Sequence, residues 1–282
     1  MKPTEARAEG FFRKWTIPHL SLGLLLVSLI VVASISSVFL PEGAYLSMDI
    51  GRRLEPPGFQ HLLGTDQYGR DIFARLLVGS RYSVVVGLFA VGIGIGLGVP
   101  LGCAAGYFEG WGDSLLSRTM DMVYGFPPVI TAVLVTAVLG PGLRNAIIAI
   151  GLFNVAIFAR LARGNFLSVK ERDYVVAARS TGRSELALIL GHILPNIGSP
   201  IIIQASSQFA FAILSEAALS YLGMGIQPPN PSWGLMLSQA QSFVRLSPWP
   251  VVFPGLAIVS AVLGFNLTGD GLRDLFDPVG RR

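Results

Sequence analysis

Polar side chains set inside apolar runs are the residues of this chain best placed to do chemistry. Asn154, Gln204, Ser206, Ser207, Gln208 and Glu216 all fall in stretches otherwise rich in Ile, Leu, Val, Ala and Phe. In hydrocarbon such a group is costly, so it either lines a polar pathway or hydrogen-bonds to a neighbouring helix. For each Ser and Gln both roles stay open. Glu216, near the outer end of its run, is either a paired structural charge or a pathway group.

Other chemistries find little footing. His19, His61 and His192 are far apart, with no H-x-x-x-H spacing, and Cys103 is the sole cysteine. That leaves no intramolecular disulfide and no cysteine cluster for a metal. Cys103 lies in an apolar run between Pro100 and Gly106 and reads as a small buried thiol. No G-x-x-x-x-G-K-[ST] loop is present to cradle a nucleotide phosphate. Nucleophile–base pairs are missing as well, so no catalytic residue, bound cofactor or enzymatic activity is expected of this chain. A net charge of +4 and a pI near 9.5 would suit nucleic acid, but the basic residues are dispersed among loops rather than gathered on one face.

A second concentration of polar groups lies between Arg172 and Asn196. Tyr174 to Thr181 is helix-prone, Gly182 can supply a left-handed C-terminal residue, and Ser184 followed by Glu185 can open a new helix. Leu186, Ile189, Leu190 and Ile193 recur with helical spacing and predict one apolar face, with Pro195 closing the element. Such a segment could rest on lipid, but Ala177, Ala178 and Gly182 are small where lipid anchoring favours bulk. Small residues at a turn instead let a backbone enter a partner's groove.

The elements that must position these groups are membrane spans. With 52% hydrophobic and 13% charged residues and a mean hydropathy of +0.60, the chain reads as a polytopic membrane protein. Six apolar runs are long enough to cross: 20–40, 83–107, 119–139, 145–162, 197–222 and 251–267. The first exceeds a typical signal core and is expected to be retained. Placing the N-terminus inside puts 14 of the 21 Lys and Arg on the inner side, which favours N-in, C-in and a cytoplasmic 172–196 stretch. In the second run Gly87, Gly92, Gly94, Gly96, Gly98, Gly102 and Gly106 suit close intrachain helix packing. Pro127 and Pro128 should bend the third. In the outer loop 41–82, Gly64-Thr65-Asp66 and Gly69 are strong turn chemistry, so Asp66, Arg70 and Asp71 read as structural rather than docking residues.

Four ordered motifs carry a family resemblance. Ala177-Ala178, Gly182 and Leu194-Pro195 resemble the EAA loop of ABC-importer permeases, with Val176 at the motif's glutamate and His192 at its isoleucine. His192-Ile193-Leu194-Pro195-Asn196 is similar to the form in the dipeptide, oligopeptide and nickel branch. HLLGTDQYGRD (61–71) resembles that branch's HPLGTDxxGRD segment, with Leu62 for proline. SEAALSYLGMG (215–225) with PSWG (231–234), and GDGLRD (269–274) with Asp277-Pro278, resemble its later segments.

The resemblance implies an all-α type I ABC-importer permease fold with six transmembrane helices and cytoplasmic coupling helices, in the bacterial inner membrane. It implies a tail, first helix and external loop over 1–81, a permease core over 82–270 and a C-terminal tail over 271–282. It further implies a homologous second permease, two ATPase subunits that bind ATP and Mg, and an extracytoplasmic substrate-binding protein. Tyr174, Ala177, Ala178, Gly182, His192, Leu194 and Pro195 would meet the ATPases. Asn154, Gln204, Ser207, Gln208 and Glu216 are the candidate pathway residues, for di-/oligopeptides or for nickel or other chelates. A stand-alone secondary transporter would need an internal repeat or a coupled pair of intramembrane acids, and neither is evident.

Overall fold

The computed structural model describes residues 3–108 and 110–276, and Asp277-Pro278 of the last motif lie outside them. Among the described residues every regular element is a helix, and the one β contact is an isolated bridge, Thr65 to Asp71. Helix α1 (Pro3–Ser36) and the 3-10 turn Ser37–Phe39 that follows it make up the first span, His19–Phe39. A short α2 (Glu42–Leu46) and the outer turn lead to α3 (Ile72–Ile93). Asp71 caps α3 directly, its Oδ1 accepting the Ala74 amide at 2.8 Å. A π turn, Gly94–Gly98, then joins α3 to α4 (Val99–Phe108), and the whole makes one span, Ile72–Phe108.

The third span departs from a bent helix. α5 (Gly110–Tyr124) and α6 (Pro128–Leu139) are separate helices, with Gly110–Val123 and Pro128–Leu139 meeting at 91°. Pro127 and Pro128 both lack an amide hydrogen, and residues before proline avoid the α region, so the chain breaks where a lone proline would only kink it. α7 (Leu143–Lys170) runs eight residues past the expected end at Ala162. Arg160 and Arg163 keep that extension helical by reaching α5, where they pair with Asp121 and Asp113.

α8 (Asp173–Ser180) and α9 (Glu185–Leu188) form the expected helix–turn–helix. A second π turn, Ile189–Ile193, carries α9 without a break into α10 (Leu194–Tyr221), giving one span over Glu185–Tyr221. α11 (Trp233–Ala240) is a short outer helix, and α12 (Trp249–Phe276) is the last span. The expected boundaries at 81/82 and 270/271 both fall inside continuous helices, α3 and α12.

Packing follows the glycines. Gly94, Gly98, Gly102 and Gly106 lie four apart and face α7. A Cβ on Gly98 would sit 2.6 Å from the Val155 carbonyl oxygen, and one on Gly102 would sit 2.2 Å from that of Ala159. In lipid, where apolar burial gives helices no reason to associate, such backbone contact supplies the dispersion energy that holds them. An inner core joins Val99, Cys103, Phe158, Phe166, Val175, Ile193 and Ile197; an outer one joins Val86, Ala90, Ala149, Ile150, Ala212 and Leu219. Leu20 packs at Gly271 and Leu26 at Gly264, so α1 and α12 are antiparallel and place the start of α1 and the end of α12 on one side of the bundle.

Candidate functional site

On the side where α12 ends, α8 and α9 meet at Gly182. Its φ of +79° is left-handed, and its amide donates to the Arg179 carbonyl at 3.0 Å, closing α8. Gly182 has open space where a side chain would stand, so its requirement is backbone conformation alone. Ser184 then caps α9, accepting the Ala187 amide at 3.4 Å. Across the turn Arg179 grips Glu185 with two bonds, Nε to Oε1 at 2.8 Å and Nη2 to Oε2 at 3.1 Å. That carboxylate raises the Arg179 pKa above its ordinary value.

Two residues anchor this unit to the bundle, Val175 of α8 and Leu188 of α9. Val175 is fully buried against the inner core, whereas its neighbours Tyr174 and Val176 are 44% and 48% exposed. Ala177 and Gly182 are exposed and Ala178 is half-buried. Val176, at the motif's acidic position, therefore points away from the chain's own core. The Arg179–Glu185 pair fastens α8 to α9 without it.

The apolar face of α9 differs from the predicted one. Leu188 and Ile193 are buried, at 0% and 1%, while Leu186 and Leu190 are 66% and 56% exposed. The π turn accounts for the later part of this face, because its wider turn sets Ile193 five residues on from Leu188 on the same buried side. Pro195 does not close the element either; it occupies the first turn of α10, where a missing amide hydrogen is tolerated. The Asn196 side chain donates to the His192 carbonyl at 2.6 Å, and Arg183 donates to His192 Nε2 at 3.0 Å. Leu194 is half-buried and Pro195 exposed.

The candidate pathway residues do not gather on one surface. Asn154 is fully buried where α7 meets the first π turn, its Cβ within 2.6 Å of a Cβ built on Gly94. Gln208 is buried at 8% exposure, Gln204 is half-buried, and Ser207 lies against Gly269 of α12. Its neighbour Ser206 donates to the Phe265 carbonyl at 2.6 Å, an interhelical bond. Glu216 is fully buried near the outer end of α10, and its Oε1 accepts from Ser220 Oγ at 2.6 Å. Ser220 Oγ in turn accepts the Ile226 amide at 3.0 Å, and the hydroxyls of Ser83 and Ser232 also approach the carboxyl. Three serines from α3, α10 and the start of α11 thus surround one acid, a grouping that no local sequence pattern signals.

The outer turn satisfies itself. Asp66 accepts the Tyr68 and Arg70 amides at 2.8 and 3.0 Å and pairs with Arg70 Nε at 2.7 Å. Arg75, 1% exposed, approaches Asp66 at 3.6 Å and donates to the Tyr45 carbonyl at 3.4 Å. Asp71 accepts from His61 Nδ1 at 2.7 Å while capping α3.

Known proteins share this sequence and architecture. The family profile described as "Binding-protein-dependent transport system inner membrane component" matches residues 98–281. The dipeptide transport system permease protein DppC of Alkalihalophilus pseudofirmus is 44% identical over 91% of this chain and 84% of its own length. The glutathione transport system permease protein GsiD of Escherichia coli O6:K15:H31 is 43% identical over 99% of this chain and 93% of its own. Among solved structures, one of inward-facing conformations of the MetNI methionine ABC transporter superposes with a TM-score of 0.58. At 16% identity, covering 72% of this chain and 97% of that one, it shows a shared fold.

Proposed function

The chain belongs to the family of binding-protein-dependent transport system inner membrane components, and on that footing we propose that it imports di- or oligopeptides as one of two paired permease subunits. It is a multi-pass protein of the bacterial cytoplasmic membrane and a transport subunit rather than an enzyme. Hydrolysis of Mg-ATP would occur in two separate ATPase subunits, and an extracytoplasmic binding protein would deliver substrate. The relatives named for dipeptide and for glutathione, itself a tripeptide, support a peptide cargo over a metal chelate.

The observation that carries the reading is the α8–Gly182–α9 unit. It is anchored by Val175 and Leu188, exposes Tyr174, Ala177 and Gly182, and runs without interruption into the α10 span. A surface so little committed to its own chain, yet continuous with a transmembrane helix, suits a contact that must transmit movement. Asn154, Gln208 and Glu216 are buried within the chain, so the route would run along a face shared with the second permease, where half-buried Gln204 is the better placed group.

The test is reconstitution of the complete complex in vesicles with labelled dipeptides. ATP-dependent uptake that is lost without the ATPase subunits is the expected result. Uptake by this chain alone, driven by an ion gradient, would overturn the reading.

A further inference from the structure

A groove of about 780 Å³ separates α4 from α9 and the first half of α10. Ile95, Val99 and Cys103 line one wall and Leu186, Leu190 and Gly198 the other; Glu185 contributes the one charged side chain. The groove opens to the outside of the bundle, as the exposure of Leu186 and Leu190 shows, and between its walls the two helices have room to approach each other.

Its two walls differ in freedom. α4 is fixed, because Gly98 and Gly102 hold it in backbone contact with α7. The π turn and the first turn of α10 are packed on the side away from the groove, where Ile193 and Ile197 are buried against Phe158, Phe166 and Val175. Toward the groove nothing blocks them: a Cβ built on Gly198, or on Gly96 opposite, meets no atom within 4 Å. Each wall also contains a π turn, with Ile95 and Gly96 on one side and Ile189 and Leu190 on the other. A π turn carries a surplus residue whose hydrogen bonds can be redistributed along the helix, so it is a soft point at which a span can shift.

We propose that this groove is a closing gap: α9, its π turn and the first turns of α10 swing as one piece toward α4 when the ATPase subunits draw on the α8–α9 loop. The proposal rests on the functional reading above for its driving force, and on the packing for its direction. The swing brings Leu186 and Leu190 onto Val99 and Cys103, so two exposed leucines become buried in one of the two states. Energy applied at the exposed loop is thereby stored in a helix–helix contact that the other state lacks.

The sole cysteine of the chain makes this measurable, since Cys103 already stands on the fixed wall. Leu190→Cys places a second thiol on the moving wall. A disulfide requires Cα atoms within about 7 Å, so its rate of formation reports the width of the groove. In the assembled complex, oxidation is expected to run about tenfold faster with a non-hydrolysable ATP analogue than without nucleotide. Leu190→Cys with Cys103→Ala corrects for partner thiols. Equal rates in a complex that still hydrolyses ATP and transports would overturn the closing gap and leave the importer reading standing. A chain that recruits no ATPase would overturn both.

A second variant needs no cross-link. Gly198→Phe adds a ring on the groove side, where a Cβ meets no atom within 4 Å, and should cut transport about tenfold while assembly and ATP binding persist. Gly198→Ala should transport normally. Normal transport by Gly198→Phe would also overturn the proposal.

Discussion

Two loops of similar charge sit at opposite ends of this bundle. In the outer turn, Asp66, Arg70 and Arg75 are 6%, 5% and 1% exposed, and each bonds within the chain. In the inner loop Tyr174, Val176 and Leu186 face solvent, and the ion pair that is present, Arg179–Glu185, holds the loop's own two helices together. The outer turn satisfies its polar groups internally and thereby fixes where α3 begins. The inner loop satisfies only what its shape requires and leaves the rest of its surface to another chain. A polar segment in a membrane protein is thus a candidate contact when its geometry is self-supporting but its surface is uncommitted.

The contrast can be broken experimentally, first at the outer end. Asp66→Ala leaves Arg70 and Arg75 buried without their shared carboxylate, and removing one partner of a buried ion pair costs about 3–5 kcal/mol. Thermal unfolding of the purified protein should fall well below wild type; an unchanged midpoint would mean that the turn does not depend on its own charges. Gly102→Val forces side-chain atoms onto the Ala159 carbonyl and should cost about 1–3 kcal/mol, read from the same melt.

At the inner end, stability and function should separate. Gly182→Val places a β-branched residue at a φ of +79°, a local strain of about 1–2 kcal/mol confined to the loop. Insertion and melting should change little, while transport per ATP hydrolysed should fall about tenfold, roughly 1.4 kcal/mol of lost coupling. Arg179→Ala should cost under about 1 kcal/mol, since both partners are exposed. It should loosen retention of the ATPase subunits in pulldowns, and the double swap Arg179→Glu with Glu185→Arg should restore it. Failure of that rescue would show that the pair acts on the partner rather than on the loop.

Much of this arrangement is legible from sequence. Apolar runs of about 20 residues announce the spans, and the Gly182–Ser184 turn chemistry announces the inner loop, because each rests on local rules. The break at Pro127-Pro128 is announced as a bend but realised at 91°. The two π turns are invisible, since one surplus residue alters neither composition nor hydropathy. The second sets Leu188 and Ile193 on one buried side five residues apart and carries the helix on past Pro195 as a continuous span. The surroundings of Glu216 are equally hidden, because Ser83 and Ser232 join it from helices remote in the chain. Hydropathy locates a polar group in the bilayer; tertiary packing decides whether it is reachable.

The unbroken run from Glu185 to Tyr221 has a mechanical meaning. At 1.5 Å per residue it is a beam roughly 55 Å long, with one end in the inner loop and the other beside the serine-ringed Glu216. Near residue 206 it is fastened to α12, through the Ser206–Phe265 bond and the stacking of Phe209 on Phe265 at 4.2 Å. Farther out it is held again, where a Cβ on Gly234 would sit 2.0 Å from the Ala217 carbonyl oxygen. The outer part of the beam is thus clamped between its neighbours, and the freedom to bend belongs to the roughly 32 Å between the inner loop and residue 206.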